Sequence, residues 1–511
     1  MSAPTYDLGK LHGGLRLPAN KALSTSRPIL DVPVPKQLVL PITQHVGDPS
    51  QPIVGIGEHV LKGQLIAVSE GTLGAPVHAS SSGTVVAIEP WPVSRRNGDN
   101  APCIVIDCDG KDEAIESIDE TGNFTSLTPK DLLRKIVKGG IVGLGGAAFP
   151  TAQKLMQART CKIDHLLLNG VECESYISCD DVLMRERAGE IISGAQILMH
   201  ALEIDVCFVA VESDKPEAIR ALGEVLGDIN DARIVLKQVP TIYPSGGEDQ
   251  LVQLVTNREV PSGGLPSDVG CLVQNVGTAA AIHDWIINNE PLISRVTTIT
   301  GDGVASPINV RARIGTPIAD VVQYAGGYTE SAEQLIIGGP MTGRSVTTDR
   351  VPLVKATNCV LVSSATPDPG PELPCIRCGD CAAVCPVQLL PQQLFWYACA
   401  DNEVKMREFG LMDCIECGCC DLVCPSHIPL TADFRVAKGR IQELADEKAR
   451  AARARLRFEA RNDRLEREKA ERESELAQQK ASARQAGPSA IAEILKRKKL
   501  ERDNPDSEGE N

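Results

Sequence analysis

The stretch TPKDLLRKIVKGGIVGLGGAAFPTAQK, residues 128–154, decides how the central part of the chain folds. Gly143, Gly145 and Ala148 match the degenerate dinucleotide fingerprint G-x-G-x-x-A, which requires a strand directly before the glycines. In this chain the apolar residues between 132 and 137 recur at helical spacing instead, and the stretch begins with a threonine, a favourable N-cap. The pattern therefore predicts helix, glycine loop, helix, with loop amides that can approach an anionic ligand.

Around this stretch, residues 125–292 alternate between short apolar runs and helical segments. The predicted strands are HLLLNG, DVCFVAV, RIVLKQV and CLVQN, and the predicted helices cover about 180–202, 215–227, 248–256 and 277–289. Such alternation predicts an α/β domain with a mostly parallel sheet.

Residues 31–112 contain short Val and Ile runs broken by glycine, which predicts an all-β domain. The order G-x-x-V-x-x-G-Q, A-P and S-G-T-V in this domain resembles the barrel-sandwich of biotinyl and lipoyl carrier domains. Carrier domains present a modified lysine on a hairpin tip, and this chain has no lysine between Lys62 and Lys111. We therefore expect a structural or docking module.

The remaining residues are divided by composition. We predict an N-terminal segment at 1–30, a small β-rich module with one helix at 293–365, a cysteine-rich domain at 366–432, and a charged helical or disordered tail at 433–511.

The formal net charge of −15 argues against nucleic-acid binding, because such binding needs a basic face. Residues 431–511 hold 20 Lys and Arg against 17 Asp and Glu, so the acidic excess lies in the body of the chain. No apolar run approaches the roughly 20 residues of a membrane span, and the first residues lack the features of a signal peptide. We expect a cytoplasmic chain without a transmembrane span of its own, in which the cysteines clustered between Cys375 and Cys424 serve metal chemistry and the scattered ones are small buried hydrophobic residues.

Two motifs with the spacing C-x2-C-x2-C-x3-C-P predict two [4Fe-4S] clusters: CIRCGDCAAVCP at 375–386 and CIECGCCDLVCP at 414–425. Thiolates are the soft ligands of such clusters, and the short gaps allow one loop to provide three of them. In two-cluster ferredoxins the fourth cysteine of each motif binds the other cluster. The predicted ligands are Cys375, Cys378, Cys381 and Cys424 for one cluster, and Cys414, Cys417, Cys420 and Cys385 for the other.

The alternative for these cysteines is a pair of structural zinc sites, but zinc ribbons use two separated C-x-x-C pairs. Cys419 is an additional cysteine, and using it in place of Cys420 would break the two-residue gap. It is therefore predicted to be a neighbour and not a ligand. Two clusters carry single electrons and do not by themselves take an electron pair from a substrate, which directs attention back to the glycine loop.

Four motifs in order, GLGGAAFPTAQK, NGVECESYISCDD, YPSGGEDQL and VQNVGT, resemble the FMN- and NADH-binding subunit of respiratory complex I. Together with the cysteine motifs they are more similar to the RnfC family of Rnf electron-transport complexes, over almost the whole chain. The resemblance implies a multidomain α/β protein. Its parts would be a carrier-like β barrel-sandwich, a Rossmann-like FMN/NADH domain, a β-grasp (soluble-ligand-binding) module, a two-cluster ferredoxin domain and a charged helical tail.

The resemblance also implies roles for particular residues, with FMN bound non-covalently. Its phosphate and ribityl chain would be held by Gly143, Gly145, Gly146 and Lys154, and its ring would lie near Asn169, Glu172, Glu174 and Asn275. A shared flavin–nicotinamide cleft would be lined by Tyr243, Gly246, Gly247 and Glu248, with Phe149 as a nucleotide-stacking ring. Glu174 and Glu248 are the predicted catalytic residues.

The chain departs from these families at five positions. Leu144 and Val171 stand where the complex I subunit has an arginine and an aspartate, and Gln157 and Leu265 stand where it has adenine-stacking aromatic residues. Ser175 stands where Rnf-type chains have a proline.

The predicted function is that of the peripheral, NADH-oxidising enzyme subunit of a membrane-bound, ion-translocating Rnf-type complex. Electrons would pass from NADH through FMN and two [4Fe-4S] clusters to membrane and ferredoxin-type subunits, at the cytoplasmic side of the inner membrane. One alternative is a soluble flavin–iron–sulfur reductase similar to cobalamin reductase. Another is a non-catalytic electron relay that has lost NADH binding. For single residues the alternatives are turn glycines, surface carboxylates at Glu172 and Glu174, and a solvated Lys154.

Overall fold

The structure, a computed structural model, describes residues 8–69, 71, 73–94, 100–116, 123–365, 370–485 and 487–502. The chain forms two compact units that divide after Arg435. The first unit contains four modules in chain order. Short 3-10 helices lie at Lys21–Leu23, Phe124–Ser126, Pro266–Val269 and Leu411–Asp413.

The first module is a small barrel-sandwich of two antiparallel sheets. The first eight strands of the chain are β1 (Leu30–Asp31), β2 (Gln37–Pro41), β3 (Gln51–Pro52), β4 (His59–Val60), β5 (Leu65–Val68), β6 (Val77–His78), β7 (Gly83–Pro92) and β8 (Asn100–Cys108). All of them except β1 belong to this module. Within the two sheets the strands are ordered β2-β8-β7-β4 and β3-β5-β6. Buried Leu38, Ile66 and Ile104 belong to the core of this module. The all-β prediction is confirmed.

The second module is an α/β domain. Its elements are α1 (Pro129–Lys138), α2 (Thr151–Ala158), β9 (His165–Gly170), α3 (Cys179–Glu186), α4 (Ala188–Leu202), β10 (Val206–Glu212), α5 (Pro216–Ile229), β11 (Ile234–Val239), α6 (Glu248–Thr256), β12 (Cys271–Asn275) and α7 (Val276–Asn288). The sheet order is β11-β10-β9-β12 and every pair is parallel. The predicted parallel sheet is therefore confirmed.

The glycine loop lies between two helices, as the sequence predicts. Helix α1 is capped by Thr128, whose Oγ1 accepts from the backbone N–H of Asp131 at 3.2 Å. Leu132 and Ile136 on its apolar face are buried. The next helix, α2, begins directly after the loop at Thr151.

One predicted helix is divided in two. The segment predicted at 180–202 breaks at Arg187, which has φ −128° and ψ 35° and separates α3 from α4. The Arg187 guanidinium donates to Asp284 of α7 at 2.7 Å. The break therefore coincides with a contact between elements almost a hundred residues apart, which local periodicity does not record.

The order of the strands creates a crevice. From β9 the chain continues to β10 on one side, while β12 lies on the other side of β9. Ligands of open α/β sheets bind where the strand order reverses in this way, beyond the carboxyl ends of the strands. The last residue of β12, Asn275, pairs in register with Asn169 of β9 at that edge.

The third module is the β-grasp module. It contains β13 (Ser294–Thr300), β14 (Ile308–Arg313), α8 (Ile318–Tyr324), β15 (Gln334–Ile337), β16 (Arg344–Val346) and β17 (Cys359–Ser363). The sheet order is β1-β14-β13-β17-β15-β16. Strand β1, at the predicted start of the barrel domain, thus joins this sheet, where Asp31 accepts two hydrogen bonds from Arg311.

The fourth module carries the cysteines on short helices, with bounds α9 (Asp380–Ala383), α10 (Pro391–Cys399), α11 (Glu403–Glu408) and α12 (Cys419–Leu422). Its two cysteine motifs have similar backbone conformations. Left-handed φ angles occur at equivalent places of the two motifs, in the pairs Arg377 and Glu416, Gly379 and Gly418, and Gln388 and His427.

The helix α13 (Leu430–Gln485) continues into the second unit, which also contains α14 (Pro488–Arg502). From Asp446 to Ser482 every side chain except Asn462 is exposed. In the described part of the chain, no helix is both long enough and apolar enough to cross a membrane.

Candidate functional site

Two asparagines form the floor of the crevice at the ends of β9 and β12. Asn169 Nδ2 donates to the carbonyl of Gly246 at 2.9 Å. Asn275 Oδ1 caps α7 by accepting from Gly277 N–H at 2.8 Å, and its Nδ2 donates to Asp180 at 2.6 Å. The three segments that carry predicted flavin contacts therefore meet through these two amides.

The glycine loop borders the same crevice. Leu144 is held at both backbone groups, because its N–H donates to Thr278 Oγ1 at 3.0 Å and its carbonyl accepts from Arg295 at 2.5 Å. A Cβ added to Gly145 would lie 3.7 Å from Asn275. Gly146 has φ +109° and open space in front of it. The loop thus exposes backbone beside Asn275, which fits a phosphate-bearing cofactor held by peptide amides.

Lys154 and Glu248 form an ion pair at the rim of the crevice, with 2.5 Å between Nζ and Oε1. The lysine lies on α2 and the glutamate begins α6, so the pair joins these two helices. The Lys154 side chain is 27% exposed, which leaves its ammonium accessible to an anion. Gly247 precedes Glu248 at the N-terminal end of α6, where anions are favoured.

The two other predicted carboxylates have fixed partners. Glu172 accepts from the backbone N–H groups of Asp180 at 2.7 Å and Asp181 at 3.2 Å, so it caps the start of α3. Burial, followed by the charge of Glu172, raises the pKa of Asp180. This pair places two acidic groups beside Asn275, and Asp180 is a site residue that the sequence did not single out.

Glu174 is buried and contacts the β-grasp module. Its carboxylate accepts from the N–H groups of Met341 at 2.7 Å and Thr342 at 2.9 Å, and from Thr342 Oγ1 at 2.7 Å. These bonds make Glu174 a link between two modules, a role that the sequence did not indicate. Its catalytic role stays a prediction.

A buried ion pair links two loops that border the crevice. Lys215 Nζ donates to Glu212 at 2.9 Å and to the carbonyl of Val171 at 2.7 Å. The second carboxylate oxygen of Glu212 accepts from Ser245 Oγ at 3.3 Å. The loop after β9 and the loop before α6 are therefore tied together. A glutamate and a lysine three residues apart after an apolar strand are the sequence signal for this pair.

The residues expected to meet a nucleotide are less enclosed. Phe149 is half-buried, and Gly143 N–H donates to its carbonyl at 2.8 Å. Gln157 is exposed, and Leu265 is 55% exposed. Neither side chain is aromatic, so these two positions lack the stacking rings that the complex I pattern has for adenine.

Four cysteines line one cavity in the cysteine-rich module. They are Cys375, Cys378, Cys381 and Cys424, the set that the motif spacing predicts for one cluster. The cavity is also lined by Gly379, Gln392, Phe395 and Ile428. Four thiols around one apolar cavity fit the donor set of a [4Fe-4S] cluster.

The second set contains Cys385, Cys414, Cys417 and Cys420. Cys385 Sγ accepts from the backbone N–H of Leu389 at 3.3 Å. Cys420 is the second residue of α12, as Cys381 is the second residue of α9. This equivalence supports Cys420 over the adjacent Cys419 as the ligand of the second motif.

The crevice and the second cysteine motif are in direct contact. Tyr243 is buried, and its hydroxyl donates to the backbone carbonyl of Cys417 at 2.7 Å. A Cβ on the adjacent Gly418 would lie 3.4 Å from Met341 Cε, so the motif also lies against the β-grasp loop. The cavity lined by Cys375, Cys378, Cys381 and Cys424 contains none of these residues.

Four domain families match the chain. The RnfC barrel sandwich hybrid domain matches residues 9–111, the Nuo51 FMN-binding domain residues 136–284, the SLBB domain residues 296–345 and the 4Fe-4S dicluster domain residues 374–428. The chain therefore carries an FMN-binding domain and a domain for two 4Fe-4S clusters, and both cofactor predictions are confirmed at the level of the domains.

Two similar proteins are each named as the C subunit of an ion-translocating oxidoreductase complex. The protein of Pseudomonas aeruginosa is 49% identical over 465 residues, which cover 91% of this chain and 60% of the relative. That of Haemophilus influenzae is 43% identical over 468 residues, covering 91% and 70%. The chain thus spans well under the full length of these relatives. A chain of an NAD+-reducing [NiFe]-hydrogenase aligns with a TM-score of 0.44 at 20% identity, covering 61% of each chain.

Proposed function

Because the chain belongs to the RnfC family of ion-translocating oxidoreductase complexes, we propose that it takes electrons from NADH into such a complex. The observation that carries the proposal is the hydrogen bond from Tyr243 to Cys417. It joins a crevice suited to a two-electron cofactor to a motif suited to a one-electron carrier. The two kinds of site are thereby held together in one compact unit.

FMN takes up an electron pair and releases it one electron at a time, and iron–sulfur clusters carry single electrons. The chain's own residues bind and orient these groups. The backbone amides of the exposed Gly145 and Gly146, together with the Lys154 ammonium, would hold a phosphate. Asn169 and Asn275 would offer amide groups at the floor of the crevice.

The nicotinamide is proposed to bind on the side of the crevice that carries Gly246, Gly247 and Glu248, with Phe149 as the stacking ring. Glu248 lies at the rim and is exposed, so a ligand can reach it. A phosphate held by Lys154 would lie close to the Glu248 carboxylate, and the repulsion between these two anions would favour a rearrangement of the ion pair.

The eight predicted cysteines are proposed to hold the two clusters in the sets given above. Cys385, Cys414, Cys417 and Cys420 would form the set nearer to the crevice, since Tyr243 contacts the backbone of Cys417. The set around Cys375 would then be the more distant one.

We propose membrane and ferredoxin-type subunits as partners, and a peripheral position at the cytoplasmic side of the inner membrane. The names of the relatives, which describe one component of an ion-translocating complex, support this proposal. Attachment would then depend on partner subunits.

The test uses the full chain, purified without oxygen and reconstituted with FMN, iron and sulfide. NADH should bleach the flavin absorption and then the cluster absorption. Dithionite serves as the control, because it reduces the same groups without a nucleotide site.

Bleaching by dithionite but not by NADH would contradict NADH oxidation. That result would favour the electron relay, for which the exposed Gln157 and Leu265 are the supporting observation. A protein that retains no flavin would contradict the proposal as a whole.

A further inference from the structure

The first described residues contact the α/β domain, the β-grasp module and the ferredoxin module. We define residues 8–24 as the N-terminal strap. Gly14 N–H donates to the carbonyl of Val384, directly before Cys385, at 2.9 Å. Leu15 pairs with Tyr243 through two backbone hydrogen bonds of 2.8 Å. The strap therefore contacts both the ferredoxin module and the crevice.

Further along the strap, Lys21 enters the protein and is only 9% exposed. Its Nζ donates to three backbone carbonyls, those of Glu172 at 2.6 Å, Glu174 at 3.0 Å and Ile177 at 2.5 Å. An ammonium has three donors, and all three are used here. The carboxylate of Glu172 lies 3.9 Å away. Lys21 thus binds the loop 172–177 through three hydrogen bonds and places a positive charge beside it.

The loop needs such support because of its backbone. Glu172 has φ 52° and Tyr176 has φ 69°, left-handed values that are uncommon for residues other than glycine. Conformations of this kind persist only where surrounding contacts determine them.

The strap holds the same loop from outside. Tyr176 N–H donates to the carbonyl of Ala19 at 2.8 Å, and Ser175 Oγ donates to the carbonyl of Pro18 at 2.7 Å. Ser175 is the residue that replaces a proline of Rnf-type chains, so this departure supplies the hydroxyl group of a bond between strap and loop.

We propose that Lys21 is a positioning residue for the flavin crevice. By fixing the loop 172–177 it holds Glu172, and with it the start of α3 and Asp180, in place beside Asn275. The proposal rests on the proposed function, since it requires FMN in this crevice. Two measurable properties follow, the affinity for FMN and the midpoint potential of the bound flavin.

The direction of each effect follows from charge. Without the ammonium, three buried carbonyls lose their donor and the loop loses its fixed shape, so FMN binds more weakly. A buried positive charge near a flavin stabilises the reduced, more anionic form. Its removal takes a nearby cation away from the Glu172 carboxylate, and the midpoint potential becomes more negative.

The experiment compares the full-length wild type with Lys21→Met, an apolar side chain of similar length. Lys10→Met is the matched control, because Lys10 lies on the same strap and is exposed. FMN binding to the flavin-free protein is followed by fluorescence, and the midpoint potential by spectroelectrochemistry. We expect Lys21→Met to raise the Kd for FMN about tenfold or more and to lower the potential, with iron content and Lys10→Met unchanged.

Equal Kd and potential in Lys21→Met and the wild type would overturn the inference. If Lys21→Met does not fold, Lys21→Gln decides, because its side-chain amide can still donate hydrogen bonds while the positive charge is lost. Lys21→Gln should lower the midpoint potential of the flavin, and a potential equal to that of the wild type would overturn the inference. A wild type that binds no FMN would instead overturn the proposed function, which separates the two failures.

Discussion

The hydroxyl of Tyr243 donates to the backbone carbonyl of Cys417 at 2.7 Å, and the tyrosine is almost completely buried. The bond fixes the position of a predicted cluster ligand relative to the crevice of the α/β domain. Because Leu15 of the N-terminal strap pairs with the backbone of the same tyrosine, Tyr243 is held on two sides. The contact between the crevice and the second cysteine motif therefore has a fixed geometry.

Removing the hydroxyl should loosen this contact while leaving both cofactor sites present. Tyr243→Phe is expected to retain flavin and iron, to lose about 1 kcal/mol of stability, and to slow cluster reduction after flavin reduction. Rapid-mixing absorption spectroscopy with NADH measures the two steps separately. Tyr324→Phe is the control, since Tyr324 lies exposed on α8. An unchanged rate would mean that the bond has no part in electron transfer.

The register of the second cysteine motif can be tested with two adjacent residues. Cys420→Ser should lose one cluster, and the iron content should fall from about eight to about four per chain. Cys419→Ser should keep both clusters, because the equivalent residue of the first motif is Asp380 and not a cysteine. Iron and sulfide analysis together with electron paramagnetic resonance gives the answer. The opposite pattern would show that the ligand is Cys419.

An acidic side chain in the glycine loop should prevent FMN binding. Gly145→Asp places a carboxylate near Asn275, where backbone amides are expected to face the phosphate. We expect loss of FMN with clusters retained, measured by flavin extraction and iron content. Gly189→Asp introduces the same group at an open position near the start of α4 and should have no effect on flavin. Normal flavin content in Gly145→Asp would place the phosphate elsewhere.

Glu174→Gln separates a structural role from a catalytic one. The carboxylate accepts three hydrogen bonds from the loop at 341–342, so its neutralisation should lower the free energy of unfolding by about 1–3 kcal/mol. Chemical denaturation measures this change. The control is Glu330→Gln, because Glu330 is exposed on the β-grasp module, which also carries the loop at 341–342. Electron transfer from NADH to a dye should persist in the folded protein. Its complete loss without a change in stability would support the catalytic role instead.

Removal of residues 446–511 should leave flavin, clusters and dye reduction intact, because this segment has no cysteine and its described side chains are almost all exposed. Its slightly basic balance suggests contact with a partner or an anionic membrane surface, at about 1 kcal/mol for each basic residue near such a surface. Membrane association of full-length and truncated protein at low and high salt tests this, in cells that contain the partner subunits. Equal association at every salt concentration would rule out a docking role.

Local patterns predicted those parts of the fold that depend on neighbours in sequence. The cap at Thr128, the apolar runs that form the strands and the cysteine spacing all have their causes within a few residues. The contacts of Glu174 and Lys21 span about 150 residues or more, and no periodicity records them. The same holds for β1, a two-residue strand in the sheet of a module that begins more than 250 residues later.

The similar backbone conformations of the two cysteine motifs limit how their clusters can differ. The two motifs have equal spacing and left-handed residues at equivalent places, so their cysteines lie on similar backbones. The surroundings do differ, since one motif receives a buried tyrosine hydroxyl while Ile376 of the other is 68% exposed. Hydrogen bonds and solvent exposure are the means by which proteins set cluster reduction potentials. Any downhill gradient along this pair is therefore expected to depend on what surrounds the two motifs, including the module that provides Tyr243.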